Sequence, residues 1–207
     1  MRMRVFLDMG VSINARCSDG NTVLHYLCDY PEGHLAVFDR APPALQIRQA
    51  DEQLRLAIRA GANLEAEDGF GYTPLIHALT GMAGVPPLAI KTLVQLGCNI
   101  KVVDEDGLGA LHFTAESNMP GTMQFFIDKG LDINQQTFDG GTPLHLSDIR
   151  TMPILLRNGA NMGLKNKLGL DPQQSRVQTD LLAMDAAWHE WLAQMTSIWE
   201  TEIALRR

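Results

Sequence analysis

The sequence predicts an all-α solenoid of about five stacked units, some of them degenerate, closed by a long C-terminal amphipathic helix. Three observations lead there. Five segments run from one glycine to another ten positions later: Gly10 to Gly20, Gly61 to Gly71, Gly97 to Gly107, Gly130 to Gly140 and Gly159 to Gly169. Their first glycines stand 51, 36, 33 and 29 residues apart, so insertions and deletions fall only outside a constant ten-residue register, which is how stacked repeats accommodate loops. Helix-end chemistry precedes these segments and helix-start chemistry follows them.

Along the chain, Arg2 to Met9 offers one helix before the first segment. Helices begin two residues after each second glycine, at Thr22-Val23-Leu24-His25, Thr73-Pro74-Leu75-Ile76, Gly109-Ala110-Leu111-His112, Thr142-Pro143-Leu144-His145 and the degenerate Asp171-Pro172-Gln173-Gln174. Thr and Asp are good N-caps, and proline at the first helical position forfeits no hydrogen bond; Gly109-Ala110 is the weakest start. Residues 29–50 carry an insertion of about 18 residues against a 33-residue period, broken by Pro42-Pro43. A smaller insertion spans Gly81 to Pro87, with Pro86-Pro87 opening the next helix. Apolar stretches such as Leu56 to Ala60, Phe125 to Lys129 and Ile154 to Asn158 end helices. The next glycine then takes the left-handed C′ position, and Arg59, Lys129 or Arg157 sits beside the negative end of the dipole. The unit after Thr142 is about four residues short of the period, so its first helix is a turn or two. From Thr179 to Leu205 there is no Gly or Pro, and Leu181, Met184, Trp188, Leu192, Met195, Ile198 or Trp199, and Ile203 recur at about three-to-four-residue spacing. That predicts one helix of roughly 40 Å. It holds all three tryptophans and packs on the last unit as a cap.

Between the paired glycines lie short extended stretches closing in Asp-Gly pairs at 19-20, 68-69, 106-107 and 139-140, the chemistry of tight turns. The pattern G-A-N/D-x-N … D-G-x-T-P-L-H-x-A resembles the ankyrin repeat, over roughly residues 5 to 178 and most specifically in Gly130 to Leu146. The resemblance implies paired antiparallel helices stacked side by side, with the turns projecting as fingers at about a right angle. It divides the chain into an ankyrin-repeat domain, 1–178, and a C-terminal helix, 179–207. It also gives His25, His112 and His145, each fourth in its T-P-L-H, a structural role in hydrogen bonding from the first helical turn to neighbouring backbone.

Composition excludes several functions. No apolar tract approaches the roughly 18 residues that cross a bilayer, and Asp8 interrupts any signal-peptide core. With 17 basic against 24 acidic residues and a net charge of −7, the electrostatic footprint of nucleic-acid binding is missing. Cys17, Cys28 and Cys98 lack the spacing of a zinc site or disulfide framework, which points to a reducing cytoplasm. His189-Glu190 lacks the second histidine of a zincin, because Ala193 stands in its place. Gly69-Phe70-Gly71 lacks the third glycine of a dinucleotide loop, Pro74 standing there. His34 and His77 have no catalytic partner in register. The acidic residues Glu65, Glu67, Asp68, Asp104, Glu105 and Asp106 do not have the spacing of a calcium loop. No catalytic residue, cofactor site or metal site is therefore expected.

The expected function is non-catalytic binding of a protein partner by a chain that is a monomer on its own. The family's adaptable positions flank the second glycine of each segment. Here they select Phe70, Tyr72, Glu105, Asp106, Leu108, Phe138, Asp139 and Lys167 as partner-binding residues, with Leu168 beside them. An aromatic and aliphatic stripe edged with carboxylates is the composition of a binding hot spot, and it suits a basic enzyme or toxin that an inhibitor or immunity-type protein would neutralise. The alternative is a scaffold or adaptor joining two proteins through separate surfaces. If residues 179–207 form a cap, a chain ending at Val177 is expected to lose solubility or cooperative unfolding, and a thermal melt superimposable on that of the full chain removes the cap.

Overall fold

A computed structural model describes residues 10–28, 43–80 and 87–178. The helix expected at Arg2 to Met9, most of the 29–50 insertion with His34, the residues from Gly81 to Pro86, and the terminal helix with His189 lie outside the described residues. Eight helices are assigned in chain order: α1 Val23–Cys28, α2 Pro43–Arg59, α3 Pro74–Thr80, α4 Pro87–Gln95, α5 Ala110–Glu116, α6 Pro120–Asp128, α7 Pro143–Leu146 and α8 Met152–Arg157. Residues 172–178 add a further helical stretch, α9. Among the described residues the only β-pairing is an isolated bridge between Val103 and Gly109.

The helices stack in two rows. In the first, α1 packs on α3, α3 on α5, and α5 on α7; in the second, α2 packs on α4, and α6 on α8. Within a unit the rows join through α1 with α2, α3 with α4, α5 with α6, and α7 with α8. One continuous core runs between them, including Leu24, Leu54, Leu75, Leu79, Ile90, Leu93, Leu111, Met123, Phe126 and Leu155. Burial of each such side chain stabilises the stack by roughly 1.5–3 kcal/mol. As the short spacing predicts, α7 has only four residues. Pro43 and Pro87 open their helices, where a missing N–H costs nothing; residues 43–50 are thus the first turns of α2.

All ten glycines of the five segments have φ between +75° and +95°. Of the first glycines, Gly61, Gly97, Gly130 and Gly159 each follow a helix, as Gly130 does after α6, donating its N–H to the Ile127 carbonyl at 2.9 Å. The second of each pair is the fourth residue of a five-residue finger turn. In finger 2 the Asp68 N–H donates to the Tyr72 carbonyl (2.9 Å) and the Gly71 N–H to the Asp68 carbonyl (3.2 Å). Residues 17–21, 104–108, 137–141 and 166–170 repeat both bonds. The first residue of the turn also supplies a side-chain acceptor: Asp68 Oδ1 takes the N–H groups of Phe70 and Tyr72, Asp104 Oδ1 those of Asp106 and Leu108, and Asn166 Oδ1 those of Leu168 and Leu170. This register corrects the reading of four equivalent Asp-Gly pairs. Asp19, Asp106 and Asp139 precede the left-handed glycine, whereas Asp68 opens its turn three residues before it.

Two stitches join neighbouring units. In one, the N–H of the second turn residue donates to the carbonyl of the third residue in the preceding finger: Gly69 to Asp19 (2.7 Å), Phe138 to Asp106 (2.9 Å) and Lys167 to Asp139 (2.8 Å). The other is the histidine bridge. His25 Nδ1 accepts the Thr22 N–H at 3.1 Å, which leaves Nε2 as the donor, 2.9 Å from the Tyr72 carbonyl of the next finger. His112 links the Gly109 N–H to the Gly141 carbonyl, and His145 links the Thr142 N–H to the Leu170 carbonyl. The imidazole thus caps its own helix and tethers the next unit, as the resemblance implies. It also caps α5, whose Gly109 has no side chain to do so.

Burial holds His25 and His112 below the usual histidine value of 6.5, against the opposing pull of their backbone carbonyl partners. A lowered folded value means that the unfolded chain takes up the proton first. The stabilisation is therefore complete above about pH 6.5 and lost as pH falls through the folded values. Asp68 has the same sign in a more acid window: burial opposes its charge, but the N–H groups of Tyr72 and Phe70 and the His77 ring bring its carboxyl below the usual 3.8. The melting temperature is expected to fall between about pH 6.5 and pH 5, and a His25→Gln, His112→Gln double variant should show a flatter slope there. An unchanged slope removes the two histidines as its cause.

Candidate functional site

The finger tips and the inner face of the first helix row form one surface, because the same turns position both. In each five-residue turn the first residue binds backbone, the second and third stand at the tip, and the fifth points back toward the helices. Phe70 and Leu168 occupy the third position and are 70% and 78% exposed; Phe138 occupies the second and is 63% exposed. Glu105, Asp106, Asp139 and Lys167 are also exposed at tips. Tyr72 and Leu108 occupy the fifth position and are half-buried against the core. The expected stripe is thus divided among three turn positions, with Phe70, Phe138 and Leu168 outermost and Tyr72 and Leu108 set back at its base.

Neighbouring contacts fix these side chains to different degrees. The Phe138 ring lies over Gly107 of finger 3: a β-carbon at that glycine would sit 3.1 Å from Phe138 Cδ1 and 2.9 Å from its nitrogen. Phe70 has its ring centroid 6.3 Å from that of Tyr72, and Tyr72 meets Phe113 of α5 edge-on at 6.4 Å. The Tyr72 hydroxyl is pushed above its usual value, first by burial and then by the charges of Asp104, Asp68, Asp106 and Glu105. The exposed Lys167 Nζ is 3.6 Å from Asp139 Oδ1, a solvent-screened pair that adds little.

The inner-helix part of this surface was not read from the sequence. It lies at the residue after the fourth position of each helix start: Tyr26, His77, Leu146 and, at the equivalent place but buried beneath Tyr72, Phe113. Three of them touch finger residues. The Tyr26 hydroxyl donates to Cys17 Sγ at 3.2 Å, His77 Nδ1 lies 3.2 Å from Asp68 Oδ2, and Phe113 packs on Tyr72. Tyr26 and Leu146 are 47% and 38% exposed. Their large size at a fixed offset from each Thr or Gly start was the available signal. His77, displaced one place from the bridging position, also meets the His25 ring edge-on at 5.4 Å.

Among the described residues no group of three or more His, Cys, Asp or Glu side chains could hold a metal ion, and no helix is long and apolar enough to cross a membrane. Burial and the nearby Glu65 charge push the Cys98 thiol up to about 12, away from the thiolate that nucleophilic chemistry needs.

No protein-family model matches the chain. It is similar to the mouse B-cell lymphoma 3 protein homolog, 29% identical over 170 residues that cover 79% of this chain and 34% of that protein. It is similar to a putative ankyrin repeat protein of Rickettsia felis, 33% identical over 117 residues, covering 47% of this chain and 50% of the other. It also resembles mouse NF-kappa-B inhibitor delta, 32% identical over 84 residues, covering 40% of this chain and 25% of that protein. The chain therefore spans half or less of the length of each.

Packing and display are separable by mutation. Phe70→Ala is expected to change stability by less than about 0.5 kcal/mol, and Tyr72→Ala, which removes a half-buried ring from Phe113, to cost about 1–3 kcal/mol. Urea unfolding of the two variants checks this, and equal losses would mean that Phe70 is a packing residue.

Proposed function

We propose that this chain, an ankyrin-repeat protein and as such a protein–protein interaction module, acts without catalysis as an inhibitor that occludes a basic enzyme or toxin. The observation that carries this reading is the display of Phe70, Phe138 and Leu168 at 63–78% exposure on turns that are each closed by two backbone hydrogen bonds. A solvated apolar side chain on a fixed backbone loses little conformational freedom on binding, so more of its burial appears as affinity. Glu105, Asp106 and Asp139 stand among these side chains, and the chain carries a net charge of −7. Carboxylates so placed accelerate encounter with a positively charged surface and select against acidic ones.

A relative that by its name is an inhibitor, NF-kappa-B inhibitor delta, supports the inhibitory part of the reading. The apolar tips supply contact, the carboxylates steer, and the inner residues Tyr26 and Leu146 extend the contact along the first helix row. Monomeric in solution, one copy is expected to cover one partner.

The test is affinity capture from the source cell lysate by the wild-type chain and by a Phe70→Ala, Phe138→Ala variant with unchanged circular dichroism, followed by assay of the captured protein's activity. The expected result is a basic protein bound one-to-one, inhibited by the wild type and lost by the variant. Its association rate should fall as salt shortens the Debye length from about 8 Å to about 3 Å. Salt-insensitive association, or a captured enzyme that keeps its activity in the complex, overturns the inhibitor reading.

A further inference from the structure

One junction in the stack lacks the stitches of its neighbours. Between fingers 2 and 3 the position of the bridging histidine is held by Ile76, fully buried and without a polar atom to offer. The backbone pair that would form the other stitch, the Glu105 N–H and the Phe70 carbonyl, has no hydrogen-bond partner among the described residues. The fingers also stand farther apart here. A β-carbon at Gly71 would meet only the Glu105 side chain, at 3.7 Å, whereas one at Gly20 would be 2.6 Å from the Gly69 nitrogen and one at Gly107 2.9 Å from that of Phe138. In the outer row, the close packing of α2 on α4 and of α6 on α8 has no counterpart between α4 and α6. The junction is held instead by α3 against α5, by Glu65 Oε1 accepting the Asn99 N–H at 2.7 Å, and by the Tyr72–Phe113 contact.

The open junction has a definite chemistry. On one side are the exposed Phe70 ring and the Phe70 carbonyl, which bonds no other described group; on the other are the exposed Asp106 and the Glu105 side chain, which lies against Gly71; Tyr72 packs beside the Phe70 ring. The ion pairs among the described residues are Arg55 with Asp51, His77 with Asp68 and Lys167 with Asp139, so no cation among them answers Asp104, Glu105 or Asp106. We propose that the gap between fingers 2 and 3 is a docking cleft for an arginine side chain of the protein partner. This rests on the reading of the chain as a module for a basic protein, and it names the contact. A guanidinium is planar and carries five N–H donors, so one group can donate to the Phe70 carbonyl and the Glu105 carboxylate while its face lies on the Phe70 ring. An ammonium can pair with the carboxylate but has no face to stack.

A probe that does not require the partner tests this. The full chain, labelled with nitrogen-15, is titrated with acetyl-Gly-Arg-Gly-amide, and separately with the lysine and glutamine peptides of the same frame. Saturable amide shifts centred on Phe70, Tyr72, Glu105 and Asp106 are expected, with the arginine peptide binding about fivefold or more tighter than the lysine peptide and the glutamine peptide giving no saturation. Glu105→Gln and Phe70→Ala should each weaken the arginine peptide, while Glu52→Gln, an exposed carboxylate on α2, should leave it unchanged. Equal response to arginine and glutamine, equal affinity for lysine, shifts centred on Asp139, or indifference to Glu105→Gln each overturns the proposal. A failed titration beside an intact salt-dependent complex removes the cleft and leaves the inhibitor reading. The expected titration beside a captured enzyme that is not inhibited removes the inhibitor reading and leaves the cleft.

Discussion

A chain that leaves one helix, runs out to a finger tip and returns to start another must dispose of its backbone polar groups at every reversal. Each N–H or C=O buried there without a partner costs about 1–3 kcal/mol. The five-residue turn meets this constraint, and the rest of the structure depends on it. Its fourth residue must have positive φ so that the chain folds back and the fifth residue's carbonyl reaches the first residue's N–H. All five such positions are glycine, with φ from +75° to +83°. The first residue's side chain completes the turn by accepting two further N–H groups in fingers 2, 3 and 5. With the turn closed, its fifth residue presents a carbonyl toward the preceding unit, and that carbonyl receives the imidazole of His25, His112 or His145. Turn, helix cap and inter-unit tether thus form one connected set of bonds.

The departures from this set follow from single residues. Cys17 opens finger 1 with sulfur in place of a carboxylate or amide oxygen, and the Tyr26 hydroxyl turns to that sulfur. In finger 4, Thr137 supplies a hydroxyl that takes the Gly141 N–H at 3.0 Å. A second row of ties near the helix ends uses the residue four places beyond the first glycine: Asn14 accepts the Asn63 N–H, Glu65 that of Asn99, and Asn134 that of Asn161. Lys101 stands at the corresponding place in finger 3, where an ammonium has nothing to accept with. Each junction therefore keeps a different subset of ties, and stiffness along the stack is set residue by residue rather than by the repeat.

The stack was legible in the sequence because its constraints are local. A left-handed backbone needs glycine, a first helical turn tolerates proline, and both leave marks at fixed spacing. The ten glycines and the shortened helix after Thr142 could be read this way, whereas the histidine bridges came from the resemblance to the ankyrin repeat. Register within the turn was harder. Asp-Gly looks alike whether the aspartate opens the turn, as Asp68 does, or precedes the left-handed glycine, as Asp106 does, and only the hydrogen bonds tell them apart. The candidate surface was legible in part. Tip residues such as Phe70 and Phe138 flank the second glycine and could be found by counting, but Tyr72 and Leu108 could not be separated from them, since exposure depends on which side of the turn a residue faces. Tyr26 and Leu146 were missed because a large apolar side chain in a short helix reads as core until the partner helices are in place.

Regularity and recognition make opposite demands on such a stack. Every bond that repeats from unit to unit serves the unit next door, and a group already hydrogen-bonded within the protein offers a partner only its replacement at roughly equal cost. A binding contribution must come from groups the repeat leaves unsatisfied. In this chain the junction between fingers 2 and 3 is one such place. Losing the bridging histidine to Ile76 removes one tether, the wider spacing of fingers 2 and 3 leaves the Phe70 carbonyl and the Glu105 N–H unpaired, and the carboxylates that follow have no cation of their own among the described residues. The buried Ile76 side chain compensates the core for the missing imidazole, so the stack stays continuous through α3 and α5 while its finger edge remains open.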